Sequence, residues 1–200
     1  MAGLNISAAI IADQRLLQPE RGSSDMPGQT GPAIEPWIKI CAAELDEIIL
    51  VGADPVALLA WDRLIVSDHF ETPGLLSGIH AGVFAARRDH VFVTAGTLPV
   101  PSALLLALMW HSLDPRCDAL VLETEFGVQP LPAIFARRSL KVLSKQLAKG
   151  EVDPRRFLRQ LRIQPILEKQ WRACDPAWAP YFQEKAENRW SLKANGTSHD

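Results

Sequence analysis

The sequence predicts an α/β domain, three αβα layers built on a mostly parallel sheet. Three observations predict it. Short apolar runs of strand length recur, at 8–12, 47–51, 64–66, 90–94 and 118–122. Segments with helical apolar spacing stand between several of them, as at 32–45 and 76–87. The chain has 200 residues, enough for one domain to bury a substantial core without disulfides.

Taken in order, Ala8–Ala12 is the first strand, and residues 18–31, rich in Gly, Pro, Ser and charge, read as a mobile loop. Ile34, Trp37, Ile38, Cys41 and Leu45 recur at helical spacing, which predicts a helix over 32–45 with Pro36 tolerable only near its start. Glu47–Val51 is a buried-strand pattern ending at Gly52, and Leu64–Val66 is a further short strand. A helix over Leu76–Arg87 and a strand over His90–Thr94 follow. Pro101 introduces a helix over Ser102–His111, with Ser102 as its N-cap. Asp118–Leu122 returns to strand. Leu131–Ala136 is another, and Pro132 inside it points to an edge or a bulge. Arg138–Ala148 is amphipathic and closes at Gly150, and Pro154–Leu161 is a short helix after Asp153. One domain is expected over 1–182, followed by a polar, flexible tail over 183–200. The chain shows no internal repeat.

Composition excludes several classes of function. A net charge of −2 lacks the basic footprint of a general nucleic-acid binder. Cys41, Cys117 and Cys174 stand far apart with no CxxC, which speaks against zinc and disulfides and fits a reducing compartment. The longest apolar run, 103–110, is too short to span a bilayer, and residues 1–12 carry no basic leader. The expectation is a cytoplasmic protein with no nucleic-acid or membrane partner.

In sheets of this kind ligands bind beyond the carboxyl ends of the strands, which directs attention to loops 13–31, 52–56, 67–78 and 95–101. His69, His80, His90 and His111 have no metal-ligand spacing, so no metal site is assigned. Ser77, His80 and Asp68 lack the G-x-S-x-G elbow of a hydrolase. Arg155, Arg156, Arg159 and Arg162 form a basic face, expected to be solvated, with a phosphate or an acidic partner as the alternative. Trp171, Trp178, Tyr181 and Phe182 are expected to cap the core, with an exposed partner-binding patch as the alternative.

Two stretches carry a resemblance. Residues 66–82 read Val-Ser-Asp-His-Phe-Glu-Thr-Pro-Gly-Leu-Leu-Ser-Gly-Ile-His-Ala-Gly, a strand ending near an aspartate and a glycine-bearing segment that opens a helix. Residues 129–140 read Gln-Pro-Leu-Pro-Ala-Ile-Phe-Ala-Arg-Arg-Ser-Leu. The first resembles the G-P-L-x-G-I-x-x-G segment of the molybdenum cofactor guanylyltransferases, MobA-like nucleotidyltransferases. Gly74, Leu76, Gly78, Ile79 and Gly82 fit, and Leu75 stands where proline is usual. The second resembles that family's Q-P-L-x-A-L-x-R-R-S-L segment, and Gly150 with 154–158 is a weaker third landmark. Order and spacing agree over about 7–165.

The resemblance implies a Rossmann-like nucleotidyltransferase fold and an activity that moves GMP from GTP, with magnesium, onto molybdopterin-bound molybdenum. It places Asp68, Gly74 and Gly78 on the nucleotide side and Gln129 and Pro130 on the pterin side. It implies GTP and Mg only if activity survives, and molybdopterin or a molybdoenzyme maturation protein as partner. The departures fall on the chemistry. Where the family's first loop resembles L-A-G-G-x-S-x-R-M-G-x-D-K, this chain has Asp13 and Gln14 for the glycine pair and Gln18 for an arginine, and its first lysine is Lys39. Phosphate-binding turns need glycines that let backbone N–H groups approach the anion, and a cation near it. Asp13 adds roughly 1 kcal/mol or more of repulsion towards a nearby triphosphate. The strand ending at Thr94 runs into Ala95-Gly96-Thr97-Leu98-Pro99, so Gly96 takes the place of the metal-binding aspartate in C-D-M-P-F. The late F-N-x-N-T-P motif survives only as Phe182-Gln183-Glu184-Lys185-Ala186-Glu187. No catalytic residue is therefore assigned, and the expected role is a non-catalytic accessory or binding module. The alternatives are an active guanylyltransferase whose phosphate site is rebuilt from Arg15, Arg21 and Asp25, or a related transferase with another acceptor.

Overall fold

The computed structural model describes residues 5–12, 34–67, 70, 74–99 and 102–179. Loop 13–31, Asp68, Tyr181, Phe182 and the tail lie outside the described residues. The elements in chain order are β1 Ile6–Ile11, α1 Ile34–Ala42, β2 Ile48–Val51, β3 Leu64–Val66, α2 Leu75–Ala85, β4 His90–Ala95, α3 Ala103–Ser112, β5 Ala119–Thr124, β6 Gly127–Ala136, α4 Leu140–Leu147, α5 Pro154–Leu158, β7 Ile163–Ile166 and α6 Glu168–Cys174, with 3-10 turns at Val56–Trp61 and Arg137–Ser139. Among the described residues the strands form one seven-stranded sheet in the order β3-β2-β1-β4-β6-β5-β7. β6 runs antiparallel to β4 and β5, and every other pairing is parallel.

Register fixes which helix covers which face. Phe92 of β4 stands beside Ala8 of β1, so both side chains point the same way, and Ala9 points the other way. Trp37 of α1 packs on Phe92 with ring centroids 6.1 Å apart. Gly82 of α2 lies over Ala9, and a Cβ on Gly82 would meet Ala9 Cβ at 2.5 Å. α1 and α2 therefore cover opposite faces, and Gly82 lets α2 approach the sheet. Phe135, in register with Val91, faces the α2 side and meets Phe157 of α5 at 5.8 Å. Trp37, Trp171, Trp178, Phe92, Phe135 and Phe157 are fully buried, each contributing about 1.5–3 kcal/mol of apolar burial. Cys41 lies in this core, and burial pushes its thiol up to about 12.

Several expectations are corrected. β6 lies between β4 and β5, so Pro132 is not on an edge strand. The bulge is present: the β5–β6 register shifts between Val121 and Glu123, and pairing to β4 stops at Ala133. Pro130 and Pro132 fall in that unpaired stretch, where a missing N–H removes no regular ladder bond. Among the described residues, the proline on an edge strand is Pro165 of β7, a strand that the sequence reading missed, as it missed α6. The helix expected over 154–161 ends at Leu158, so Arg159 and Arg162 lie beyond it. Asp153 caps it, accepting the Arg155 N–H at 2.9 Å. The basic face is substantially neutralised by its own carboxylates, with Arg155 on Asp153 at 3.1 Å, Arg156 on Glu151 at 3.3 Å and Arg162 on Asp118 at 3.4 Å. Burial alone would raise the Asp118 carboxyl, but hydrogen bonds from the Arg162 backbone N–H and from the Arg138 and Arg162 guanidiniums hold it down at about 2. Trp171 and Trp178 do cap the core.

Candidate functional site

The carboxyl ends of the first four strands lie side by side and are laced together. Ala12 N–H donates to Val51 O at 2.7 Å, Gly52 N–H to Val66 O at 3.0 Å, and Gly96 N–H to Ile11 O at 2.8 Å. The Ser67 hydroxyl donates to Gly52 O at 3.2 Å. The tips of β1 to β4 thus present Ala12, Gly52, Ser67 and Gly96 in one row. Gly96 sits one residue past β4, bonded to the last residue of β1, and brings no side-chain oxygen to this place. Ile11, Val51, Gly52 and Val66 use their carbonyls in the lacing itself. Among the described residues no group of three or more His, Cys, Asp or Glu could hold a metal ion. Magnesium is commonly held by one or two carboxylates together with substrate phosphates and water, and Gly96 supplies no carboxylate at the β4 tip.

One wall of this end is apolar, and the sequence reading did not anticipate it. The 3-10 turn after β2 folds Leu58 over the tip, so close that a Cβ on Gly52 would meet Leu58 Cδ1 at 2.8 Å. Asp54 holds the turn, accepting the N–H groups of Val56 at 3.1 Å and Ala57 at 3.4 Å. Asp54-Pro55 was the available signal, since Asp-Pro pairs initiate turns.

The sequence-assigned residues have the following surroundings. Asp68 lies outside the described residues. Gly74 is the N-cap of α2, its N–H held by Ser77 Oγ at 2.8 Å, and no described atom lies within 4 Å of where its Cβ would stand. Gly78 is buried in the helix, and its N–H donates to Gly74 O at 3.1 Å. The Ser77 hydroxyl donates back to Gly74 O at 2.8 Å, and His80 pairs instead with Ser144 Oγ at 2.8 Å, so these two side chains make no catalytic pair. Antiparallel β6 begins at this same end of the sheet, which brings Gln129 and Pro130 to the side where β4 finishes. Both are buried. Gln129 Nε2 donates to Thr124 Oγ1 at 3.0 Å and to Gly127 O at 3.2 Å, fastening the β5–β6 turn.

A mostly parallel sheet with helices on both faces, one interior antiparallel strand and the tips of β1 to β4 side by side defines a Rossmann-like α/β protein. The family model described as the MobA-like NTP transferase domain matches residues 25–166. The molybdenum cofactor guanylyltransferase of Desulfosudis oleivorans is 30% identical over 149 residues, covering 71% of this chain and 74% of that protein. That of Syntrophotalea carbinolica is 30% identical over 143 residues, covering 70% and 68%. The chain belongs to the MobA-like NTP transferase family. The crystal structure of molybdopterin-guanine dinucleotide biosynthesis protein A from Archaeoglobus fulgidus superimposes with a TM-score of 0.66 at 18% identity, over 90% of this chain and 96% of that one, which shows the shared fold. No helix among the described residues is long and apolar enough to cross a membrane.

Proposed function

We propose that this chain serves molybdenum cofactor maturation as a binding or accessory module and does not transfer GMP. Gly96 carries the reading. It stands at the β4 tip, locked to Ile11 O, where the family resemblance calls for a metal-binding aspartate. Nucleotidyl transfer depends on positioning and charge neutralisation. Removing single electrostatic groups of that kind costs about 10²-fold or more each, and the first loop lacks the glycines and lysine as well. The candidate positions are Gly74, beside which no described atom fills the place of a Cβ, with Asp68 and the buried Gly78, for a nucleotide, and the buried Gln129 and Pro130 at the β6 start for a pterin. The partner is then molybdopterin or a maturation protein for a molybdoenzyme, in the cytoplasm.

A second reading is favoured by the relatives, whose names are those of guanylyltransferases. In it, Arg15, Arg21 and Asp25 rebuild the phosphate and metal site around GTP and magnesium. Calorimetric titration of GTP into the full chain, with and without magnesium, separates the two. The accessory reading expects no magnesium-dependent binding in the micromolar range. Such binding, with molybdopterin guanine dinucleotide formed at an ordinary turnover, overturns it and establishes the active enzyme.

A further inference from the structure

We propose that Asp175 is a positioning residue, through which the segment 167–178 acts as a strap that fixes the β4–α3 loop and with it the rim of the candidate site. The segment starts where β7 ends, on the same side of the sheet as the tips of β4 and β5. Trp171 fastens it to the end of β5, donating Nε1–H to Glu123 O at 2.7 Å, and Glu168 accepts the Glu125 N–H at 2.7 Å. It then reaches α3. Asp175 accepts the Ser102 N–H at 2.6 Å, and Cys174 O accepts the Ser102 hydroxyl at 3.2 Å.

Both arms of the loop end on one buried block. Ser102 closes the α3 arm. On the β4 arm, Leu98 O accepts Trp37 Nε1–H at 3.1 Å, and the Trp37 ring meets Trp178 edge to face at 6.5 Å. Gly96 lies inside the span so held. The chemistry explains why a distant carboxylate is used. The first turn of α3 is apolar and has no acidic residue of its own. A helix N-terminus is stabilised by negative charge, and here Asp175, 73 residues away in sequence and 7% exposed, supplies it. A carboxylate accepting from N–H makes a stronger bond than a neutral acceptor does. The family match ends at Ile166, so the strap is built from residues beyond it.

Hydrogen exchange on the full chain, read by mass spectrometry, tests the proposal. Asp175→Asn keeps the shape and removes the charge. It is expected to speed exchange in peptides covering 96–105 at least tenfold and to leave β1 and β2 unchanged. Asp175→Glu, which restores a carboxylate, is expected to return the loop to within about threefold of wild type. An unchanged loop in Asp175→Asn, or faster exchange spread evenly over the whole chain in both variants, overturns the proposal. A measurement on the wild type needs no variant. In sub-denaturing urea, peptides from 96–105 and 167–178 are expected to open together, as one cooperative unit does. A strap that opens freely while the loop stays protected overturns it.

Discussion

At the scale of single residues, a few positions decide what this protein can do. Gly96 is held at the β4 tip by its own backbone N–H, which donates to Ile11 O at 2.8 Å. Gly82 serves packing. Its missing Cβ is filled by Ala9, and the contact that alanine would create, 2.5 Å, is with a strand that cannot move aside. Gly82→Ala is expected to destabilise by about 1–3 kcal/mol, as overpacking does. Urea unfolding should show this as a lower midpoint at unchanged slope, and an unaltered midpoint would refute the close approach. Gly82 belongs to the family-like segment with Gly74 and Gly78, yet the three differ. Gly74 has no described atom within 4 Å of where its Cβ would stand, and Gly78 lies inside the helix hydrogen-bond ladder.

At the scale of elements, β6 is the instructive case. It carries two prolines, yet it is an interior strand, because the prolines sit where the register with β5 breaks. The β5–β6 turn at its start is held by side chains. Thr124 Oγ1 donates to Gly127 O at 2.9 Å and accepts from the Phe126 N–H at 3.2 Å and from Gln129. Gln129→Ala is expected to cost about 1–2 kcal/mol, since Thr124 and Gly127 each lose a buried partner. Faster amide exchange should be confined to 124–130, and exchange that is unaltered there would show that Gln129 does not fasten the turn. The helices follow their caps: Ser102 accepts the Leu105 N–H at 3.2 Å, as its position before an apolar run suggests, and α4 closes before Gly150, whose φ is +71°.

At the scale of the whole molecule, charge joins distant parts of the sheet. Asp118, just before β5, receives Arg138 from beyond β6 at 2.6 Å and Arg162 from before β7 at 3.4 Å. Its carboxyl titrates at about 2, below the ordinary carboxylate value near 4. A lowered folded-state value means stability that is fully present above about pH 4 and is lost as pH falls towards 2. Asp118→Asn is expected to lower stability at pH 7 by about 2 kcal/mol, the scale of a hydrogen bond to a charged group. The gap from wild type should close between pH 4 and pH 2, followed by thermal melts across that range. A gap that stays constant with pH would mean that packing, not charge, is lost.

The sequence by itself determined the α/β class, the approximate places of the first five strands, the cap at Ser102, the helix start after Asp153, and the family, because periodicity, capping and glycine spacing are local signals. It also showed where the chain departs from the family's motifs, since Asp13, Gln14 and Gly96 are visible without coordinates. Only the tertiary structure decided the rest. Pro132 on an interior strand depends on which strands flank it. Leu58 closing the tip over Gly52 depends on how a short turn folds back. Asp175 capping α3 joins residues 73 apart in the chain. β7 and α6 escaped because four residues containing a proline carry too little pattern to read, and their stability comes from pairing with β5 and from burying Trp171. Such contacts are set by long-range packing, and no local pattern encodes which distant partner fills a given space.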